Sequence, residues 1–217
     1  MVTRIALNRR GWLGGVAALA SAAALPAAVR AMVATPLVPT PRQTAGPFYP
    51  DRLPAEHDWD LVRVQGAEAK AMGRVAHVGG RVLSVDGRPI PGALVEIWQC
   101  DAQGIYHHPR DRGTGRDPGF QGYGQIRADG DGAYRFRTIR PVAYGGRTPH
   151  IHVAVEVPGG PRLVTQMYVA GEPRNDGDFV LSRVPPAQRA SVLVAFNDAP
   201  EIEPGALAGR FDIVLAG

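Results

Sequence analysis

Cysteine is all but missing from this chain, since Cys100 is the only one among 217 residues. A lone cysteine excludes an internal disulfide framework, and its place after Trp98, at the end of an apolar stretch, marks a small buried residue rather than a nucleophile. Runs of like charge are lacking as well. The formal charge of +4 belongs to Arg4, Arg9, Arg10 and Arg30 at the N-terminus, and the remaining 20 basic and 20 acidic residues cancel. A neutral domain without a Lys/Arg run offers no electrostatic case for nucleic acid. Internal repeats, long low-complexity linkers and extended helical periodicity are absent too, which disfavours solenoids and helical bundles.

The basic N-terminus forms a segment of its own. Residues 1–31 place Asn8-Arg9-Arg10-Gly11-Trp12-Leu13 ahead of an Ala-rich apolar stretch, the pattern of a twin-arginine export signal. That stretch is short and rich in small residues for a membrane span of about 20 residues. Retention as an anchor is the alternative. Val29-Arg30-Ala31 offers a cleavage site, with Ala28 and Ala34 as competitors. The expected location is therefore periplasmic or extracellular.

Three parts follow: the leader 1–31, an N-terminal arm and loop region 32–73, and a β-sandwich domain 74–217. From about residue 74 short alternating segments are broken by turns. Strands are expected at Gly80–Val85, Ala93–Gln99, Tyr134–Ile139, His150–Val157, Leu163–Val169, Ser191–Phe196 and Arg210–Leu215. Asp86-Gly87 between the first two signals a hairpin, because both residues tolerate positive φ. A short helix is expected near Pro186–Ala190. Many strands and little helix make an all-β, antiparallel β-sandwich with long loops.

The densest chemistry lies at 144–152. His150 and His152 alternate across a strand onto one face, about 7 Å apart along it, within reach of one ion. Ile151 then points into a core. Zinc, copper, nickel and iron all accept imidazole. No Cys, Asp or Glu stands at ligand spacing beside the pair, whereas tyrosine recurs. A phenol ionises near pH 10, and a trivalent cation lowers that value by charge attraction. Histidine with tyrosinate points to ferric iron.

Tyr106 in the stretch 100–108, Tyr144 in 140–147 and Thr148-Pro149-His150-Ile151-His152 together resemble the intradiol ring-cleavage dioxygenases, the protocatechuate 3,4-dioxygenase group. Residues 40–50 resemble that family's N-terminal segment, 80–99 its central hairpin, and 163–169 the strand after its histidines. The likeness spans roughly residues 40–215. It implies a transthyretin-like β-sandwich and a non-haem Fe(III) ion held by Tyr106 and His150 as equatorial ligands and Tyr144 and His152 as axial ones. It also implies a catechol-type substrate and O2 as partners, and a cis,cis-muconate-type product. Tyr144 would leave the metal and accept a substrate proton, Arg147 would stabilise negative charge on the substrate, and Gln166 would support a histidine or the substrate. Assembly into a homo-oligomer is left open.

Each assignment has a blander counterpart. Arg147 reads equally as a surface loop residue, and Gln166 as a polar side chain facing solvent. His107 and His108 read as exposed or hydrogen-bonded residues, and Tyr123, Tyr134 and Tyr168 as core or rim residues. Tyr49 is expected near the pocket mouth. Asp-Gly at 86 and 131 are turns, and Asp101, Asp129 and Asp131 lack calcium-loop spacing. Only five residues separate Tyr144 from His150, and Gly145-Gly146 follow the tyrosine, so one pocket wall should be short. The helical linker of catechol dioxygenases is missing. Two rivals remain: a metal-free exported binding module, and a zinc or copper enzyme using His150, His152 and His107 or His108.

Overall fold

The computed structural model describes residues 35–160 and 162–216. The leader, its cleavage sites and its anchor alternative lie outside those residues. Ten strands and one turn of helix form in chain order. They are β1 (Val75–Ser84), β2 (Leu94–Trp98), β3 (Tyr123–Arg127), β4 (Ala133–Ile139), β5 (His150–Glu156), β6 (Arg162–Val169), α1 (Pro186–Arg189), β7 (Leu193–Val194), β8 (Asn197–Asp198), β9 (Leu207–Arg210) and β10 (Ile213–Leu215). Among the described residues no helix is long and apolar enough to cross a membrane.

Two five-stranded sheets face each other across the main core. In the first, β1 pairs antiparallel with β4 along one edge and parallel with β9 and β10 along the other. The second runs β3-β2-β5-β6-β7, antiparallel except for the parallel β6–β7 pair. The sheets are thus mixed. Parallel neighbours need long connections: residues 170–192 separate β6 from β7, and β9 and β10, joined by Phe211-Asp212, pair with β1 from far along the chain.

Two expectations need correction in detail. The turn at Asp86-Gly87 forms, with Gly87 at φ 79°, and closes a short hairpin in which Ser84 N–H donates to the Arg88 carbonyl and Ile90 N–H to the Val82 carbonyl, each at 2.9 Å, but the expected strand at 93–99 does not pair with 80–85. Pairing continues through Leu83↔Pro89 to Ile90 and ends there; the chain then turns through Pro91-Gly92, with Gly92 at φ 72°, and β2 joins the opposite sheet. Proline cannot continue a ladder, because it has no N–H to donate. The single strand expected at Arg210–Leu215 is split at Phe211-Asp212, whose backbone crosses β1 over Gly80. A Cβ on Gly80 would meet the Phe211 carbonyl oxygen at 2.0 Å. β3 was not anticipated, because Tyr123-Gly124-Gln125 hardly alternates in polarity.

The second sheet positions everything functional. Its inner face contributes Val95, Ile97, Ile151, Val153, Val155 and Met167 to the main core. Its outer face presents Glu96, Trp98, His150, His152, Gln166 and Tyr168, all of them buried. They are covered by the arm, which runs from the first sheet to β6 through Thr40 N–H to the Val214 carbonyl (2.9 Å) and Gln43 N–H to the Val164 carbonyl (2.8 Å). A small second core of Trp98, Cys100, Tyr106, Tyr123 and Ala154, flanked by Ala45, Phe48, Tyr49 and Tyr144, fills this layer.

Candidate metal centre

Register brings the donors together. His152 is directly opposite both Trp98 on β2 and Gln166 on β6, and His150 is opposite Tyr168. The two imidazoles converge, with centroids 4.8 Å apart and Nε2 atoms 3.2 Å apart. Two nitrogens bound to one ion at about 2.1 Å each lie at most about 4 Å apart, so this separation suits a shared ion. Tyr144 and Tyr106 close in from two loops. The ring of Tyr144 lies 5.5 Å from that of His150, and Tyr106 lies 6.2 Å from His152 and 4.9 Å from Tyr144. All four donors named from the sequence therefore meet at one place.

Their protonation follows from burial. The His150 Nδ1 donates to the Thr148 carbonyl at 2.6 Å, which leaves its Nε2 with a lone pair. That lone pair faces the Nε2 of His152, and two bare lone pairs at 3.2 Å repel unless a proton or a cation stands between them. Burial, helped by the Arg147 charge, pushes the His150 pKa down to about 4, and burial with neighbouring His150 drives His152 well below its ordinary value. Both rings are neutral at physiological pH. Burial raises the Tyr106 phenol well above its usual range, and that of Tyr144 less so, because the Tyr106 hydroxyl and the Arg147 charge oppose the desolvation.

The Tyr106 hydroxyl is buried without a hydrogen-bond partner. An unmade hydrogen bond on a buried polar atom costs about 1–3 kcal/mol, so such atoms ask for a ligand. Among the described residues no three His, Cys, Asp or Glu side chains gather in a metal-binding group. Hard phenol oxygens and neutral imidazoles are what remains at this place, and that donor set suits a trivalent ion. The zinc or copper alternative lacks its third histidine. His107 packs against Phe120 near Asp101, and His108, with Nδ1 accepting from Arg110 N–H at 3.1 Å, lies near Asp51.

The surroundings are rigid. His152 stacks on Trp98 with centroids 5.0 Å apart and planes 7° apart, while Phe48 stacks on Tyr106 at 4.6 Å. Gly46, at φ 68°, passes so close that a Cβ would lie 3.2 Å from the His152 Cε1. Tyr49 is half-buried behind Trp98, and its hydroxyl donates to Glu96, as does that of Tyr123, each at 2.7 Å. Arg162 completes this buried carboxylate at 2.7 Å. Tyr134 lies in the main core, outside the site. Cys100 is a buried thiol whose pKa is pushed up to about 12 by burial and the Asp101 charge, in keeping with a packing role.

Arg147 is buried, not a surface loop residue. It closes a tight turn with Tyr144, whose carbonyl accepts its N–H at 2.7 Å, and Gly145 and Gly146 occupy the corner at φ 50° and 81°. A Cβ on either glycine would meet nothing within 4 Å, so this corner is open. Gln166 is fully buried. Its Oε1 accepts from Arg147 Nη2 at 2.7 Å and lies 3.1 Å from the Tyr168 hydroxyl, and its Nε2 donates to the Thr44 carbonyl at 2.8 Å. Asp178, which bonds Arg147, and Gln43, which accepts from Tyr168 at 2.6 Å, carried no signal in the sequence. Each is a common polar residue in an irregular segment, and only folding brings it here.

Comparison with known proteins places the chain among enzymes. The family model described as Dioxygenase matches residues 44–217. The protocatechuate 3,4-dioxygenase beta chain of Burkholderia cepacia is 36% identical over 84% of this chain and 83% of its own length. A catechol 1,2-dioxygenase of Acinetobacter baylyi is 32% identical over 64% of this chain, which spans about half (49%) of that longer relative. Among solved structures, the dioxygenase domain of a dioxygenase–carbohydrate-binding protein fusion from Streptomyces sp. SirexAA-E superposes with a TM-score of 0.65 at 34% identity, covering 82% of this chain and 99% of that one.

Proposed function

The chain belongs to the intradiol ring-cleavage dioxygenase family of O2-using oxidoreductases, and on that premise we propose that it is a non-haem Fe(III) enzyme that opens a catechol-type ring to a cis,cis-muconate-type product. Tyr106, Tyr144, His150 and His152 would hold the iron. The observation that carries this reading is the meeting of two phenols with two neutral imidazoles whose Nε2 atoms lie 3.2 Å apart, beside a buried Tyr106 hydroxyl with no partner. Bound iron would draw electron density from a coordinated catecholate, which is the chemistry that makes the ring reactive toward O2.

The chain's own groups prepare that event. A catechol binding through both oxygens must shed two protons. Tyr144 is the less buried phenol, and the Arg147 charge favours its phenolate form; as a phenolate leaving the metal it would take one of these protons, and a hydroxide in the site would take the other. Arg147 supplies a fixed positive charge beside the ring, and a preset charge in a dry site stabilises developing negative charge at little reorganisation cost. Gln166 holds that guanidinium from one side and the arm from the other. Phe48 and Trp98 shield the rings from water.

The short turn at Gly145-Gly146 leaves the rim beside Tyr144 open, which favours bulky, substituted catechols over small ones. Equal rates on catechol and on a catechol with a large para substituent would remove that part of the proposal. Export through the leader at 1–31 belongs to the same reading, and an Arg9→Lys/Arg10→Lys variant is expected to stay in the cytoplasm when cell fractions are assayed.

The deciding experiment is a visible spectrum of purified protein, taken anaerobically with and without catechol. A broad tyrosinate-to-iron band that moves to longer wavelength with catechol is expected. A colourless protein with full occupancy by another metal, or with none, would overturn the assignment.

A further inference from the structure

Resting on the reading above, in which Arg147 faces the substrate, we propose that Asp178 is the positioning residue that aims the Arg147 guanidinium, committing two of its three nitrogens and leaving Nη1 for the substrate. Arg147 stands in the turn before β5, and Asp178 lies 31 residues later in the loop after β6. The Nε of Arg147 donates to Asp178 Oδ2 at 2.8 Å. Nη2 donates to Asp178 Oδ1 at 3.3 Å and to Gln166 Oε1 at 2.7 Å. No hydrogen bond within the described residues engages Nη1. The group lies among the candidate ligands, since Arg147 closes the turn that carries Tyr144 and its Nη2 shares Gln166 Oε1 with the Tyr168 that stands opposite His150.

Asp178 is built as an anchor. Its side chain is fully buried, and its carboxylate accepts backbone N–H groups from two separate segments: Thr148 at 3.0 Å, and Val180 and Leu181 at 3.0 and 2.9 Å. A carboxylate held by three backbone donors cannot rotate with the arginine it binds. The next residue, Phe179, covers the guanidinium face, with the Arg147 Cζ 5.2 Å from its ring centroid. One loop thus grips the cation by an edge and a face. Arginine carries large rotamer freedom, and a planar fork bound bidentately gives up that freedom before substrate arrives. The paired carboxylate offsets part of the guanidinium charge, and what Asp178 adds is the direction in which the remaining N–H donors and the charge they carry face the substrate.

The test is a double-mutant cycle on the iron-loaded enzyme with catechol and O2, using Asp178→Asn, Arg147→Gln and the pair, each checked for folding by circular dichroism. Asp178→Asn is expected to lower kcat/KM at least tenfold alone and less than twofold in the Arg147→Gln background, because its effect passes through the arginine. Anaerobic catechol titration should show the same coupling. If Asp178→Asn does not fold, Asp178→Glu keeps the charge but shifts the oxygens, and at least a fivefold loss confined to the Arg147 background is expected. A folded variant within twofold of wild type, or equal losses in both backgrounds, would overturn the proposal alone. Wild-type iron-loaded protein that turns over neither catechol nor a catechol with a large para substituent would overturn the parent reading, and this one with it.

Discussion

Strand β5 carries two rows of buried side chains that follow opposite rules. Ile151, Val153 and Val155 face the main core, where apolar neighbours leave nothing unsatisfied. His150 and His152, one residue out of phase, are as deeply buried, yet they bring paired lone pairs and sit beside a phenol with no partner. One row stabilises the fold by leaving water. The other gives up stability to hold a set of polar donors in fixed positions. Alternation along a single strand thus separates folding from chemistry at a distance of one residue.

This contrast breaks most visibly at His150. His150→Ala is expected to abolish iron binding and ring cleavage while leaving the melting temperature of the metal-free protein nearly unchanged. Metal analysis and calorimetry on the same sample check both halves, and a collapse of the metal-free fold would erase the distinction between the rows. Ile151→Ala should do the reverse. Truncation of a fully buried isoleucine costs about 3 kcal/mol of stability, read by denaturant unfolding, with iron still bound in the folded fraction.

Tyr106→Phe sharpens the comparison with a smaller change. Removing the unpartnered hydroxyl should leave the metal-free protein as stable as before, or more stable by about 1 kcal/mol, while the tyrosinate band loses intensity in the iron-loaded form. Unfolding curves and spectra of both forms decide it.

The smallest effect lies on the opposite sheet, away from the site. Glu203 accepts from Arg137 Nε and Nη2, each at 2.7 Å, and these bonds, with His77, hold its carboxyl down to about 2. A depressed carboxyl stabilises the fold above its unfolded pKa of about 4.3, and that contribution is lost as pH falls toward 2. After solvent screening it amounts to about 1 kcal/mol or less. Acid titration of stability should therefore be shallower in Glu203→Gln, with or without iron. A slope that depends on iron would tie this surface network to the site.

Legibility in the sequence tracked locality. The β5 pattern, Ile151 inward and two histidines outward, was readable because strand periodicity depends only on neighbours. So was the helix at Pro186, and so were the turns at Asp86-Gly87 and Asp131-Gly132, whose glycines take φ of 79° and 70°. The order Tyr106, Tyr144, Arg147, His150, His152 and Gln166 was readable through resemblance. What escaped depends on distant segments. The turn at 86–87 closes only a short local hairpin, and the expected pairing of 80–85 with 93–99 is lost because β2 joins the other sheet, where Val95 and Ile97 enter the main core. Asp178, Gln43 and Phe48 sit in loops whose local pattern says nothing about their partners.

By itself the sequence determined the all-β pattern, the pairing of two imidazoles on one strand face, and the neutrality of the chain beyond residue 31, because each follows from composition or from a period of two. Only the tertiary structure decided that Arg147 is a buried cation gripped by Asp178, that His152 is pinned between Trp98 and Gly46, and that the arm roofs the site. Those outcomes rest on contacts between segments far apart in the chain, whose free energies exist only once both have been packed together.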